Sequence, residues 1–140
     1  MPRRPTIATL LKRIEAAPRD AELHQELGLS YRKKGLMEEA KVAYERSLEL
    51  DPFDPWTHLY LGNWYFTMDQ YREAVECFNC AARLMPQIAI AFVSLGHAYA
   101  ALGFDALATQ NYRHALDVDP DDKTAKRNWQ RWKRSCEPKG

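Results

Sequence analysis

Cysteine, glycine and long apolar runs are all scarce in this chain. Of its 140 residues three are cysteine, at positions 77, 80 and 136, too few for the disulfide framework that staples small secreted domains. The six glycines nowhere gather into a loop that cradles phosphate groups. No stretch approaches the roughly 18 apolar residues of a membrane-spanning helix. The opening, MPRRPTIATLLKRIEAAP, carries arginines but no unbroken apolar run, so no secretory leader is expected. The four histidines are scattered, with no acid–nucleophile arrangement around them. These absences point away from an enzyme, a disulfide scaffold and a membrane protein. A cytoplasmic protein without cofactor or metal is the expectation.

What is present is ample apolar material, 46% of the chain, enough for the core of one domain. The net charge of +1 conceals an uneven distribution. Residues 1–19 carry five bases against Glu15, and residues 123–140 carry seven against Glu137. Between them, residues 20–122 hold seventeen acids against eight bases. Basic ends therefore flank an acidic middle.

The chain also repeats itself. Leu61, Gly62, Tyr65, Ala74, Phe78, Ala81 and Pro86 recur one period earlier as Leu27, Gly28, Tyr31, Ala40, Tyr44, Ser47 and Pro52. They recur one period later as Leu95, Gly96, Tyr99, Ala108, Tyr112, Ala115 and Pro120. The offset is the same at every one of these positions, so large and small residues keep their places in three copies. A period of about 34 residues marks a helix–turn–helix unit that buries its apolar face against copies of itself.

The units predicted are residues 21–54, 55–88 and 89–122. In the first, a helix over Ala21–Lys34 ends at Gly35, which is free to take positive φ. A second helix over Met37–Leu50 ends at Asp51-Pro52. The other units share this layout, with Asp69 and Gly103 at the turns. Residues 1–20 hold an amphipathic helix over Thr6–Ala16, capped by Thr6. Pro18 stands one period before Pro52, so this helix is in register with the second helix of a unit whose first helix is missing. Residues 123–140 hold a last helix over Lys123–Ser135, capped by Asp121 or Asp122, with a frayed tail after Cys136. Both end helices are read as caps on the stack.

This pattern resembles the tetratricopeptide repeat, whose motif sets a large residue, Leu-Gly, Tyr, a turn glycine, Ala, an aromatic, Ala and Pro at fixed offsets. His24, His58 and Phe92 stand where the family has a tryptophan, Ser47 replaces one small residue, and Asp69 replaces one turn glycine. The resemblance implies an all-α fold, a right-handed superhelix (α-solenoid) of antiparallel helix pairs, with three repeats between the capping helices. It also implies a concave groove lined by the first helices, in which family members hold a peptide segment of a partner.

The groove positions of the family fall here on Trp56, Leu59, Tyr60, Asn63 and Phe66 in the second repeat. In the third they fall on Ile90, Val93 and His97, and on the last helix on Arg127, Arg131 and Arg134. The expected groove is polar at its start, apolar and aromatic in the middle and basic at its far end. The aromatics suit a binding hot spot or fill gaps between repeats. Asn63 offers a donor and an acceptor to a peptide backbone, or is solvated. The arginines pair with acidic ligand groups, or form a solvated face. A clamp of Lys, Asn and Arg by which some family members bind the C-terminal carboxylate of heat-shock chaperones falls here on Gln25, Leu29, Tyr60, Ile90 and Ser94. None of these matches, which argues against chaperone-tail binding of that kind.

Cys77 and Cys80 share a helix face as CFNC, but a tetrahedral zinc site needs four ligands and a redox pair sits at a helix start. They are read as inert. The leading expectation is a protein-interaction module whose partner peptide is apolar at its centre and acidic at one end. The alternative is a structural protein, self-associating as a homo-oligomer through the same apolar surface. Nucleic-acid binding through the last helix is disfavoured, because the acidic middle repels phosphates.

Overall fold

The computed structural model describes residues 3–138, and these form eight α-helices and no strand. The remaining residues of the two expected terminal segments, 1–2 and 139–140, lie outside the described residues. The helices are α1 (Ile7–Ala16), α2 (Ala21–Lys33), α3 (Met37–Leu50), α4 (Pro55–Thr67), α5 (Tyr71–Leu84), α6 (Ala89–Ala101), α7 (Asp105–Val118) and α8 (Lys123–Cys136).

Local chemistry sets their ends. The side chains of Thr6, Asp20, Asp54 and Asp122 accept backbone N–H groups of the first turns of α1, α2, α4 and α8, which satisfies donors no helix can satisfy for itself. Pro55 opens α4, where its missing N–H does no harm. Gly35 and Gly103 take φ of 79° and 82° between paired helices. Asp69 adopts φ of 61° at the equivalent place, and its carboxylate accepts the Tyr71 hydroxyl at 2.9 Å.

Helices pair α2 with α3, α4 with α5 and α6 with α7, and contacts between successive pairs are less extensive. The repeated glycines explain the pairing. A Cβ built on Gly28, Gly62 or Gly96 would lie 2.5–2.6 Å from the ring of Tyr44, Phe78 or Tyr112 respectively. The ring that covers each glycine thus comes from the second helix of the pair. Tyr31, Tyr65 and Tyr99, on the same helices as the glycines, are only half-buried. Ala40, Ala74 and Ala108 are fully buried and let the second helix approach. Ser47 is accounted for as well, since its hydroxyl donates to the Ala21 carbonyl at 2.8 Å.

His24 and His58 replace tryptophan with a repeated polar contact. Their Nε2–H groups donate to the carbonyls of Pro18 (3.0 Å) and Pro52 (2.9 Å), in each case the proline that closes the preceding helix. In the third repeat Phe92 packs edge-on against His114 instead, with centroids 4.2 Å apart. The core runs as successive clusters along the stack, the central one joining Leu59, Phe78, Ile88 and Leu95 across two repeats. At the far end Trp129 and Trp132 of α8 pack against the last cluster, and Trp132 donates to the Thr109 hydroxyl at 2.7 Å. The structure is an α-solenoid.

Candidate functional site

The inner face is built by α2, α4, α6 and α8, and its character changes along the stack. At the α2–α4 step, Trp56 and Tyr60 line a cavity of about 460 Å³ together with Glu22, Gln25, Asp51 and Asp54. Trp56 is 43% exposed. Gln25 is fixed there, because its amide donates to Asp54 (2.8 Å) and to Thr57 (2.7 Å). Tyr60 stacks on Tyr44, with ring centroids 6.1 Å apart. The Tyr44 hydroxyl is buried and has no hydrogen-bond partner among the described residues. Burial pushes it up to about 12, against the opposing charge of Arg32.

At the α4–α6 step, Phe66 faces His97 with centroids 6.5 Å apart, and Phe66 also packs edge-on against Tyr71. His97 continues the line toward α8. Its Nδ1 lies 2.6 Å from the Tyr112 hydroxyl. Burial pushes Tyr112 up to about 12, opposed by Arg131, so Tyr112 keeps its proton. Burial, and then Arg131, hold His97 below the ordinary histidine range. The imidazole is therefore neutral, and its Nδ1 and the phenol share one hydrogen bond. Arg131 acts on both groups through its charge.

Two of the expected groove residues are not at the surface. Leu59 is 3% exposed and Val93 2%. Leu59 belongs to the cluster that joins repeats two and three, and Val93 to the cluster beneath α8. They are corrected to core residues: the next helix of the stack covers the side chain that an isolated helix would expose. Ile90, by contrast, is 39% exposed at the start of α6. Asn63 is half-buried, and its backbone carbonyl accepts the Thr67 hydroxyl at 2.9 Å. Arg127 and Arg131 are exposed on α8.

The structure thus joins Trp56 to Tyr60 and Phe66 to His97, and sets Arg131 near His97. It shows no contact that ties Ile90 or Arg127 to them. Reasoning from sequence missed the His97–Tyr112 pair. The signal was available, since the covering aromatic is Tyr in repeats one and three, and of these two only repeat three has a hydrogen-bonding side chain, His97, where the first has Leu29.

Cys77 and Cys80 are free and half-buried. Burial first, then Cys80 and the acids Glu76 and Glu73, push the Cys77 thiol up to about 12, so it has little thiolate character. Among the described residues no group of three or more His, Cys, Asp or Glu side chains is placed to hold a metal ion. No helix among them is long and apolar enough to cross a membrane.

Family models of the tetratricopeptide repeat match residues 19–87 and 89–122, most of the chain between them. An uncharacterized TPR repeat-containing protein of Arabidopsis thaliana is 30% identical over an alignment 108 positions long that covers 69% of this chain and 13% of that protein. The chain thus spans a small fraction of that relative's length. Among solved structures, MamA superposes with a TM-score of 0.82 at 23% identity, covering 92% of this chain and 75% of that one. The first TPR of Spaghetti (RPAP3), bound to the HSP90 peptide SRMEEVD, superposes with a TM-score of 0.75 at 24% identity, covering 82% and 91%. The ring-over-glycine pairs, the constant period and the two family matches agree: this chain belongs to the tetratricopeptide repeat family.

Proposed function

We propose that the chain is a non-enzymatic, cytoplasmic interaction module that holds a peptide segment of a partner protein along its inner face. The observation that carries this reading is the exposed Trp56 beside Tyr60, with Phe66 and His97 one step further along. An indole left 43% exposed beside a cavity is a large apolar payload that a ligand side chain can desolvate. Arg127 and Arg131 then select an acidic residue at the ligand's far end, because guanidinium pairs well with carboxylates. The neutral His97 offers its Nε2 as a polar contact near the same end. Asn63 lies between the two regions, and its side-chain amide offers both a donor and an acceptor to a peptide backbone. That a protein of this fold, the first TPR of Spaghetti, is bound to a peptide ending in EEVD supports the reading.

The test is a pull-down from native lysate with the wild type and a Trp56→Ala, Arg131→Glu variant, after circular dichroism shows both equally helical. A partner captured by the wild type and lost by the variant is the expected result. A partner retained by both places the interaction on another face. No partner, together with a mass that rises with concentration, favours self-association.

A further inference from the structure

Phe53 lies in the loop that enters α4 and is 74% exposed, more than any other large apolar side chain among the described residues. Its counterparts one period before, one after and two after are Arg19, Gln87 and Asp121, so the repeat calls for no aromatic there. Its backbone N–H donates to the Asp51 carboxylate at 3.1 Å, which fixes the loop. Asp51 and Asp54, on either side of Phe53 in the chain, both line the cavity of Trp56 and Tyr60. The rings belong to this step alone: one period before Trp56 and Tyr60 stand Glu22 and Glu26, and one period after stand Ile90 and Ser94.

The carboxylates of Glu22, Asp51 and Asp54 line this cavity, and no Lys, Arg or His does. The ion pairs among the described residues, Lys41–Glu45 and Arg46–Glu49, lie on α3, away from it. Asp54 is already engaged, since it accepts the Trp56 N–H, the Gln25 amide and the Thr57 hydroxyl. Glu22 donates its backbone N–H to Asp20, but its carboxylate accepts no hydrogen bond among the described residues. Asp51 spends one oxygen on Phe53 and keeps the other. The N-termini of α2 and α4 open at the same cavity and bring roughly half a positive charge each, less than the three carboxylates carry. A net negative charge thus stands beside an exposed indole.

We propose that this cavity is a subsite for an arginine side chain of the partner segment, with an apolar residue next to it that covers Phe53. The proposal rests on the inner-face reading and names what the ligand presents at its near end. A bare metal ion does not suit the site, because the carboxylates do not converge on one point: among the described residues no three of them are placed to hold a metal. A guanidinium on its stem spans the space instead. Its flat face stacks on the Trp56 indole, and its forked N–H groups reach Glu22 and the free oxygen of Asp51. A lysine ammonium has no such plane and is more strongly hydrated, so it binds more weakly here. The ligand then runs from a base at Trp56 to an acid at Arg131. This reversal of charge lets only one orientation along the inner face satisfy both ends.

The probes are two acetylated and amidated tripeptides, Leu-Arg-Leu and Leu-citrulline-Leu, the second carrying an uncharged isostere of arginine. Each is titrated into the isotope-labelled chain and followed through the Trp56 indole N–H and the backbone amides. A tripeptide is about 10 Å long, and α4 and α8 lie two helix spacings of roughly 8–10 Å apart, so the probes report on this cavity and not on the whole inner face. The arginine peptide is expected to shift Trp56 and Tyr60 saturably, about tenfold more tightly than the citrulline peptide, and to weaken with added salt. Glu22→Gln, altered at an exposed position, should remove most of that preference. Phe53→Ser should weaken both peptides alike. Equal binding of the two peptides overturns the proposal. So do an arginine preference that survives in Glu22→Gln combined with Asp51→Asn, shifts that leave out Trp56 and Tyr60, or no saturation at tens of millimolar peptide. Arginine preference at Trp56 with no partner captured in the pull-down leaves this subsite standing and removes the inner-face function. A captured partner with no arginine preference does the reverse.

Discussion

Replacing Gly62 by alanine sets two effects of opposite sign against each other at one atom. Alanine in the middle of α4 favours the helix by about 1 kcal/mol relative to glycine. The added Cβ, however, would sit 2.5 Å from Phe78 Cε1, 2.7 Å from its Cδ1 and 3.1 Å from Cys77 Cβ. Ordinary contact begins near 3.4 Å, so the ring must move by roughly 1 Å in a close-packed core. Phe78 is buried in the cluster with Leu59, Ile88 and Leu95, which leaves it little room. Overpacking of this kind costs about 1–3 kcal/mol, and the upper end applies where the neighbour is a confined ring. The expected net loss is about 2 kcal/mol, a fall of roughly 6 °C in the thermal midpoint for a domain of this size. Thermal and urea denaturation by circular dichroism measure it. Phe78→Leu in the same background should recover part of the loss, giving a coupling of about 1 kcal/mol in the double-mutant cycle. A midpoint that stays or rises in Gly62→Ala would refute the reasoning, because helix propensity would then outweigh a contact that the ring evades.

Gly35→Ala should lose about 1 kcal/mol through backbone strain alone, since φ is 79° and nothing lies within 4 Å of the added carbon; a cost near that at Gly62 would show that space is irrelevant. Asp69→Val should lower the thermal midpoint by more than Asp69→Asn does, because a β-branched residue tolerates φ of 61° poorly. Tyr44 and Tyr112 hold folded values of about 12 above the ordinary 10, so their contribution is complete below pH 10 and is lost as pH rises from 10 through 12. Absorbance at 295 nm across that range should show these two phenols ionising last, together with unfolding. His97 has the reverse sign: its folded value is below the ordinary 6.5, so stability falls as pH drops through 6.5. Urea midpoints at pH 7 and pH 5 should differ less in His97→Gln than in the wild type.

The fold was legible because its period is carried by volume. A glycine, an alanine and an aromatic recurring once in every repeat admit few arrangements, and the helices follow from them. The inner face was legible only in part. Helical position tells which way a side chain leaves its own helix, so Trp56 and Ile90 emerge exposed as expected. It does not tell how closely the next pair leans over, which is why Leu59 and Val93 are in the core. The Tyr112–His97 contact joins residues on different helices of one pair. It depends on a hydroxyl that the size pattern, satisfied equally by Phe78, does not register.

The rings lying over Gly28, Gly62 and Gly96 also divide the molecule mechanically. Within each pair they lock two helices into one stiff plate, while the plates meet one another through sparser contacts, sparser at the joint between α3 and α4 than between α5 and α6. Bending is therefore expected to concentrate at that first joint. The cavity of Gln25, Asp54, Trp56 and Tyr60 spans it. On the proposed function, a ligand side chain seated there would act as a wedge and would set the curvature that the rest of the inner face presents.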